Sequence, residues 1–254
     1  MRWEDYPISW KDKFNRQRLK GLVDRIALIS GEEINEVFGI PVLRLYNGVD
    51  LESITPKVVV EDSTIDLCAI AMFAKWHGYE RVIHGISNYY KLGGTRKIKL
   101  HMIGKGYELD NYRRIVDDLK LHDNVIFYGM KTGNELDCIY NKMDIGLDVF
   151  RVYIEKNLFI VDSLKSREYL AKGLPVISGC SVDVFKNNKD FKYYLEFTND
   201  ETPIDMNKVI KFYDSIYSSP ENKEKVIKSI RGFAESHCDI SDAMRNVIEY
   251  LSDK

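Results

Sequence analysis

The sequence predicts an α/β protein: a doubly wound parallel sheet of about six strands with a helical C-terminal tail. Two observations carry this. From Ile65 onward, short apolar runs alternate with helix-length stretches at the spacing of strand–helix–strand units. The first run, IDLCAIAMF (Ile65–Phe73), is continuously apolar, as a strand buried on both faces requires.

The elements follow in order. Trp10–Val23 is basic and weakly amphipathic and reads as a helix. RIALIS (Arg25–Ser30) reads as a short strand, and Gly39–Val49 as another, closed by the turn pair Asn47-Gly48. Strands are then expected at Ile65–Phe73, Lys97–Gly104, Asn124–Gly129, Asp144–Phe150, Leu174–Ser178 and Lys192–Phe197. Helices are expected at Tyr79–Tyr90, Leu109–Leu121, Asn134–Met143 and Leu164–Lys172, and the segment Met206–Lys254 reads as helical. Right-handed crossovers place a ligand crevice at the carboxyl ends of these strands.

Composition narrows the function. The 254 residues suffice for one large domain or two small ones, and 44% apolar content supports a core. A net charge of −2 gives no electrostatic reason to expect nucleic acid or an anionic membrane as partner. Cys68, Cys138, Cys180 and Cys238 are far apart and form no CxxC pair, so they read as reduced thiols of a cytoplasmic protein. The five histidines have no metal spacing, and no metal site is expected. The N-terminus lacks the apolar core of a signal peptide, and the longest apolar run, near Leu67–Ala74, is too short to span a bilayer.

SLKSREYLAKGLPVIS, residues 163–178, poses a specific question. Ser163 reads as the N-cap of a helix, Gly173 as its C-cap, and Pro175 follows. Lys165 then sits in the first turn, where the partial positive charge of the helix makes a cation unfavourable. Free amides at such a terminus form an anion site, so Lys165 fits a bound phosphate there. Glu168 lies three residues on, on the same face, and a carboxylate there can accept from two adjacent hydroxyls such as a ribose presents. An ordinary Lys165–Glu168 surface pair explains the same spacing.

Several segments, in order, resemble the C-terminal, donor-binding half of a GT-B glycosyltransferase of the large family-4 type. They are LYNGVDLESI, KWHGYERVIHGI, the long run from IKLHMIGKGYEL through NVIFYGM to MDIGLDVF, and SLKSREYLAKGLPVIS. The resemblance covers about Arg25 to Leu251. It implies a Rossmann-like fold forming a single GT-B half, with residues 51–254 as the donor domain. Residues 1–50 would be a remnant of the N-terminal acceptor domain and the interdomain segment.

The resemblance also assigns roles. Glu168 matches the glutamate that holds the nucleotide ribose, and Ser163 and Leu164 match positions whose amides approach the diphosphate. Lys75 and His77 fall in the loop that supplies phosphate contacts; Lys75 is the better candidate, since a lone histidine such as His77 is more often structural. Gly104 belongs to a G-x-G turn that tight packing would also explain. Gly129 and Met130 fall where the backbone meets the nucleobase. The partner glutamate facing the donor sugar should stand at position 160, where this chain has Ile160. No catalytic residue is assigned.

The family implies a retaining transfer from a UDP- or GDP-sugar, with no further cofactor, to a glycan or lipid-linked acceptor in polysaccharide assembly. The expected location is the cytoplasm, peripheral to the inner membrane face. The acceptor would be held by an N-terminal domain that this chain lacks. The alternative is an inactive nucleotide-binding or scaffold module, favoured by Ile160 and the missing half. Residues 1–40 are expected either to fold back on the donor domain or to pair with a second chain as a homodimer.

Overall fold

The computed structural model describes residues 18–19, 21–29, 35–60, 63–156 and 158–253. Apolar runs bounded by Gly, Asn and Asp form six parallel strands in one sheet. They are β4 (Ile65–Met72), β5 (Ile98–Lys105), β6 (Val125–Gly129), β7 (Ile145–Leu147), β9 (Val176–Ser178) and β11 (Tyr194–Glu196). The strand order is β11-β9-β7-β4-β5-β6. The chain thus winds outward from β4 to β6, then restarts at β7 and winds the other way. Right-handed crossovers therefore put the intervening helices on opposite faces, and the switch point lies between β4 and β7. Ile65, Leu67, Ile98, Leu100, Ile145 and Val176 in these strands are fully buried, each worth roughly 1.5–3 kcal/mol of transfer free energy.

The helices are α1 (Glu80–Lys91), α2 (Leu109–Leu119), α3 (Gly133–Tyr140), α4 (Val152–Lys156), α5 (Leu164–Lys172), α6 (Asp183–Lys186), α7 (Met206–Ile216), α8 (Pro220–His237) and α9 (Ile240–Ser252). The expected sheet, its six strands and the helical tail are all present. The structure adds detail after β7. The strand ends at Leu147, and the long loop beyond it contains α4 and the short β8 (Ile160–Val161), which pairs in parallel with β10 (Ser181–Val182).

Before the sheet, β1 (Ile26–Ile29) pairs in parallel with β3 (Ile40–Leu45), and β2 (Glu36–Val37) pairs antiparallel with β3. The expected turn at Asn47-Gly48 is not there. The chain turns instead at Phe38-Gly39, where both residues have positive φ (56° and 72°), and runs extended through Asn47. Asn47 donates its backbone N–H and its Nδ2 to Asp162. Gly48 passes so close to α9 that a Cβ would lie 2.5 Å from the Ile240 Cα, so the glycine serves close approach, not a turn. Asn246 of α9 donates to the carbonyl of Arg44 on β3, the strand that pairs with β1, and Arg25 sits over the Tyr250 ring. The expected helix Trp10–Val23 lies outside the described residues except for 18–19 and 21–23, and a single chain does not bear on the pairing of residues 1–40 with a second chain.

Arg231 on α8 fastens the linking segment to α5. Its guanidinium donates to the carbonyls of Leu51, Ile54 and Ala171. Cys68, Cys180 and Cys238 are buried free thiols, and burial pushes Cys180 and Cys238 up to about 12. Among the described residues no helix is long and apolar enough to cross a membrane.

Candidate nucleotide site

The N-terminus of α5 opens at the switch point between β4 and β7. Ser163 is its N-cap, with extended backbone and a side chain that accepts from the Ser166 amide, and Gly173 closes the helix with φ 80°. The amides of Leu164 and Lys165 are among those that a helix cannot satisfy internally. Leu164 is half exposed, so this terminus is open to the crevice.

An anion does answer Lys165, and it comes from the protein. Lys165 Nζ lies 3.2 Å from the carboxylate of Asp148, one residue beyond β7. Asp148 is fully buried and also accepts from Ser163 Oγ at 2.8 Å and from Ser166 Oγ. The surface pair of Lys165 with Glu168 does not form among the described ion pairs. Glu168 instead accepts from Tyr140 OH at 2.7 Å through Oε1, while Oε2 has no protein partner among the described residues. The sequence alone places Asp148 inside the expected strand Asp144–Phe150 and gives it no role at the site.

The 3-10 turn Lys75–His77 follows β4 and is tied to the chain after β7 by Phe150 N–H donating to the His77 carbonyl. The turn separates the two phosphate candidates. His77 is buried beside Lys165 and Asp148, and its ring stacks on Tyr79. Burial first, and then the Lys165 charge, push the imidazole down to about 3, so it is neutral at working pH. Its Nδ1 is engaged by the Ala74 backbone, and Nε2 has no partner among the described residues. Lys75 turns the other way. It is exposed and lines a cleft with Glu80, Glu108, Asn111, Arg151 and Glu155, to which no residue of α5 contributes.

Gly104 ends β5 against β4. A Cβ there would lie 2.0 Å from the Ala71 carbonyl oxygen, so close strand–strand approach already explains this glycine. Gly129 ends β6 with open space above it, and Met130 is half exposed. Ile160 sits in β8, 40% exposed. Nearby Phe159 and Leu164 are also exposed, so the rim beside the helix terminus is apolar where a carboxylate was expected.

No model of a known protein family matches the chain, and no curated protein does. Solved structures do match. A glycosyltransferase from Rickettsia africae superposes with a TM-score of 0.68 at 16% identity, covering 97% of this chain and 67% of its own. A sucrose-phosphate synthase from Thermosynechococcus elongatus gives 0.66 at 15% identity, over 98% of this chain and 63% of its own. Anabaena HepE in complex with UDP gives 0.61 at 12% identity, over 84% and 58%. The protein is therefore a Rossmann-like α/β domain. More specifically, it has the fold of one half of a GT-B glycosyltransferase, and it spans about two thirds or less of the chains it matches.

Proposed function

We propose that the chain is the donor-binding half of a retaining glycosyltransferase. It would bind a UDP- or GDP-sugar at the N-terminus of α5, for transfer to a glycan or lipid-linked acceptor held by a separate domain. One observation supports this most: the α5 terminus opens at the switch point of the sheet, with unsatisfied amides, Lys165 and the free Oε2 of Glu168 on one side. Diphosphate oxygens would take the amides of Leu164 and Lys165 and the ammonium of Lys165. Glu168 would take the ribose hydroxyls, and the backbone at Gly129-Met130 would meet the base. The same cation and amides would stabilise the leaving diphosphate as charge develops on it. No cofactor beyond the sugar nucleotide is needed. The protein would work in the cytoplasm, at the inner membrane face when the acceptor is lipid-linked, in polysaccharide assembly.

Calorimetric titration with UDP, GDP and their sugars tests this reading. One nucleoside diphosphate should bind in a one-to-one complex, and its nucleoside far more weakly. Failure of every nucleoside diphosphate to bind refutes the proposal. A second reading, a nucleotide-binding module without transferase activity, is favoured by Ile160 on the apolar rim. It predicts tight nucleoside diphosphate binding with no gain from the attached sugar.

A further inference from the structure

Most cations around the start of α5 are already neutralised. Lys165 Nζ lies 3.2 Å from Asp148. Arg151 is held by Glu80, Glu155 and Glu201, and Arg167 by Asp162 and Asp183. A diphosphate brings further negative charge, and a cation already paired with a buried carboxylate answers it only in part.

Lys156, at the end of α4, is different. It has no carboxylate partner among the described residues, and its half-buried side chain rests with Nζ 3.5 Å from the centre of the Trp76 ring. A ring face attracts an ammonium without cancelling its charge, so the cation stays available to an anion. The platform is fixed. Trp76 packs against Val149, Val152 and Cys180, and its carbonyl accepts from the Arg151 N–H at 3.3 Å.

His77 connects this cation to α5. The charges acting on its ring are those of Lys165, Asp148 and Lys156, and the ring lies 5.6 Å from that of Trp76. His77 is 6% exposed. The buried Ala74 N–H donates to Nδ1 at 3.0 Å, and the opposite tautomer would deprive it of that acceptor, so the neutral ring carries its hydrogen on Nε2. Nε2 has no partner among the described residues and keeps contact with solvent. A buried ring with a free, reachable N–H therefore stands between a paired lysine and an unpaired one.

The direction of a bound nucleotide selects the group that meets them. In the proposed pose the base lies at the end of β6 and the ribose at Glu168. The strands run β6-β5-β4-β7, so the phosphate end points toward β7, the strand that leads into α4.

We infer that Lys156 and the Nε2–H of His77 seat the terminal phosphate of the donor, the one that carries the sugar. This rests on the donor-site reading and adds Lys156 to it.

The test is calorimetry of the full chain with UDP, UMP and uridine, or with the guanine counterparts if GDP binds better. The wild type should bind UDP more tightly than UMP. Lys156→Gln should weaken UDP roughly tenfold or more and leave UMP within about twofold, with an unchanged circular dichroism melt. His77→Phe, which keeps the ring and removes the donor, should weaken UDP and spare UMP in the same way. In ¹⁵N-labelled protein UDP should shift the His77 Nε2 resonance, and UMP should not. The inference is overturned if Lys156→Gln leaves UDP affinity unchanged, or if it weakens UMP as much as UDP. Failure of every nucleoside diphosphate to bind the wild type would refute the donor reading and this seat together, whereas UDP binding indifferent to Lys156 would refute the seat alone.

Discussion

Replacing Asp148 by alanine should destabilise the protein by about 3 kcal/mol. The carboxylate is fully buried and takes donors from Ser163 Oγ, Ser166 Oγ and Lys165 Nζ. Each hydrogen bond to a charged group is worth about 1.5–3 kcal/mol, and removing one partner of a buried ion pair costs about 3–5 kcal/mol. These figures do not add, because the three donors share one acceptor. Both serine hydroxyls can rotate toward other acceptors, and the Lys165 side chain keeps 22% of its surface in water. The lower end of the range is therefore expected. For a chain of this size about 3 kcal/mol lowers the melting temperature by roughly 6–12 °C. Thermal melts followed by circular dichroism, checked by urea unfolding, read it directly. Asp148→Asn, which keeps one acceptor, should lose about half as much. A shift of less than about 2 °C for Asp148→Ala would show that the carboxylate does not hold the start of α5.

Other substitutions probe separate parts of the account. Gly104→Ala should cost more than about 2 kcal/mol, since its Cβ would collide with the Ala71 carbonyl and its φ of 132° is strained for any other residue; a near-normal urea midpoint would contradict the close strand approach. Lys165→Ala should weaken UDP binding while leaving uridine binding little changed, and Lys75→Ala should weaken UDP less, because Lys75 faces a different cleft; calorimetry showing the reverse order would return the diphosphate to Lys75. His77 is held at about 3, below its unfolded value, so protons bind the unfolded chain first. Its contribution is full above about pH 6.5 and is lost as pH falls toward 3, by up to about 1.4 kcal/mol per unit. His77→Gln should flatten the acid limb of stability against pH, and an unchanged limb would show that the imidazole titrates normally.

The periodic signals carried the fold. Continuous apolar runs such as Ile65–Met72 and capped amphipathic helices such as α5 are local patterns, and they appear where the pattern puts them. Asn47-Gly48 failed because the same dipeptide that favours a tight turn also permits close backbone approach, and the neighbour that decides, Ile240, is far along the chain. α4, β8 and β10 were missed because two- to five-residue elements have no period to read. At the site, the Ser163 cap and the anion demanded by Lys165 were legible. The source of that anion was not, because Asp148 reaches Lys165 only through the crossover from β7 to α5. The separation of Lys75 from His77 depends on which way a three-residue turn points each side chain, which spacing does not encode.

The most direct test of the central claim is the affinity of UDP and GDP for the wild type and for Glu168→Ala. Tyr140 OH holds Glu168 Oε1, Oε2 has no protein partner among the described residues, and the proposed function gives that oxygen to a ribose hydroxyl. The better-bound nucleoside diphosphate should therefore lose about 1–3 kcal/mol on substitution, with the fold intact by circular dichroism. Equal affinity for both proteins would contradict the assignment of the α5 terminus as the nucleotide site.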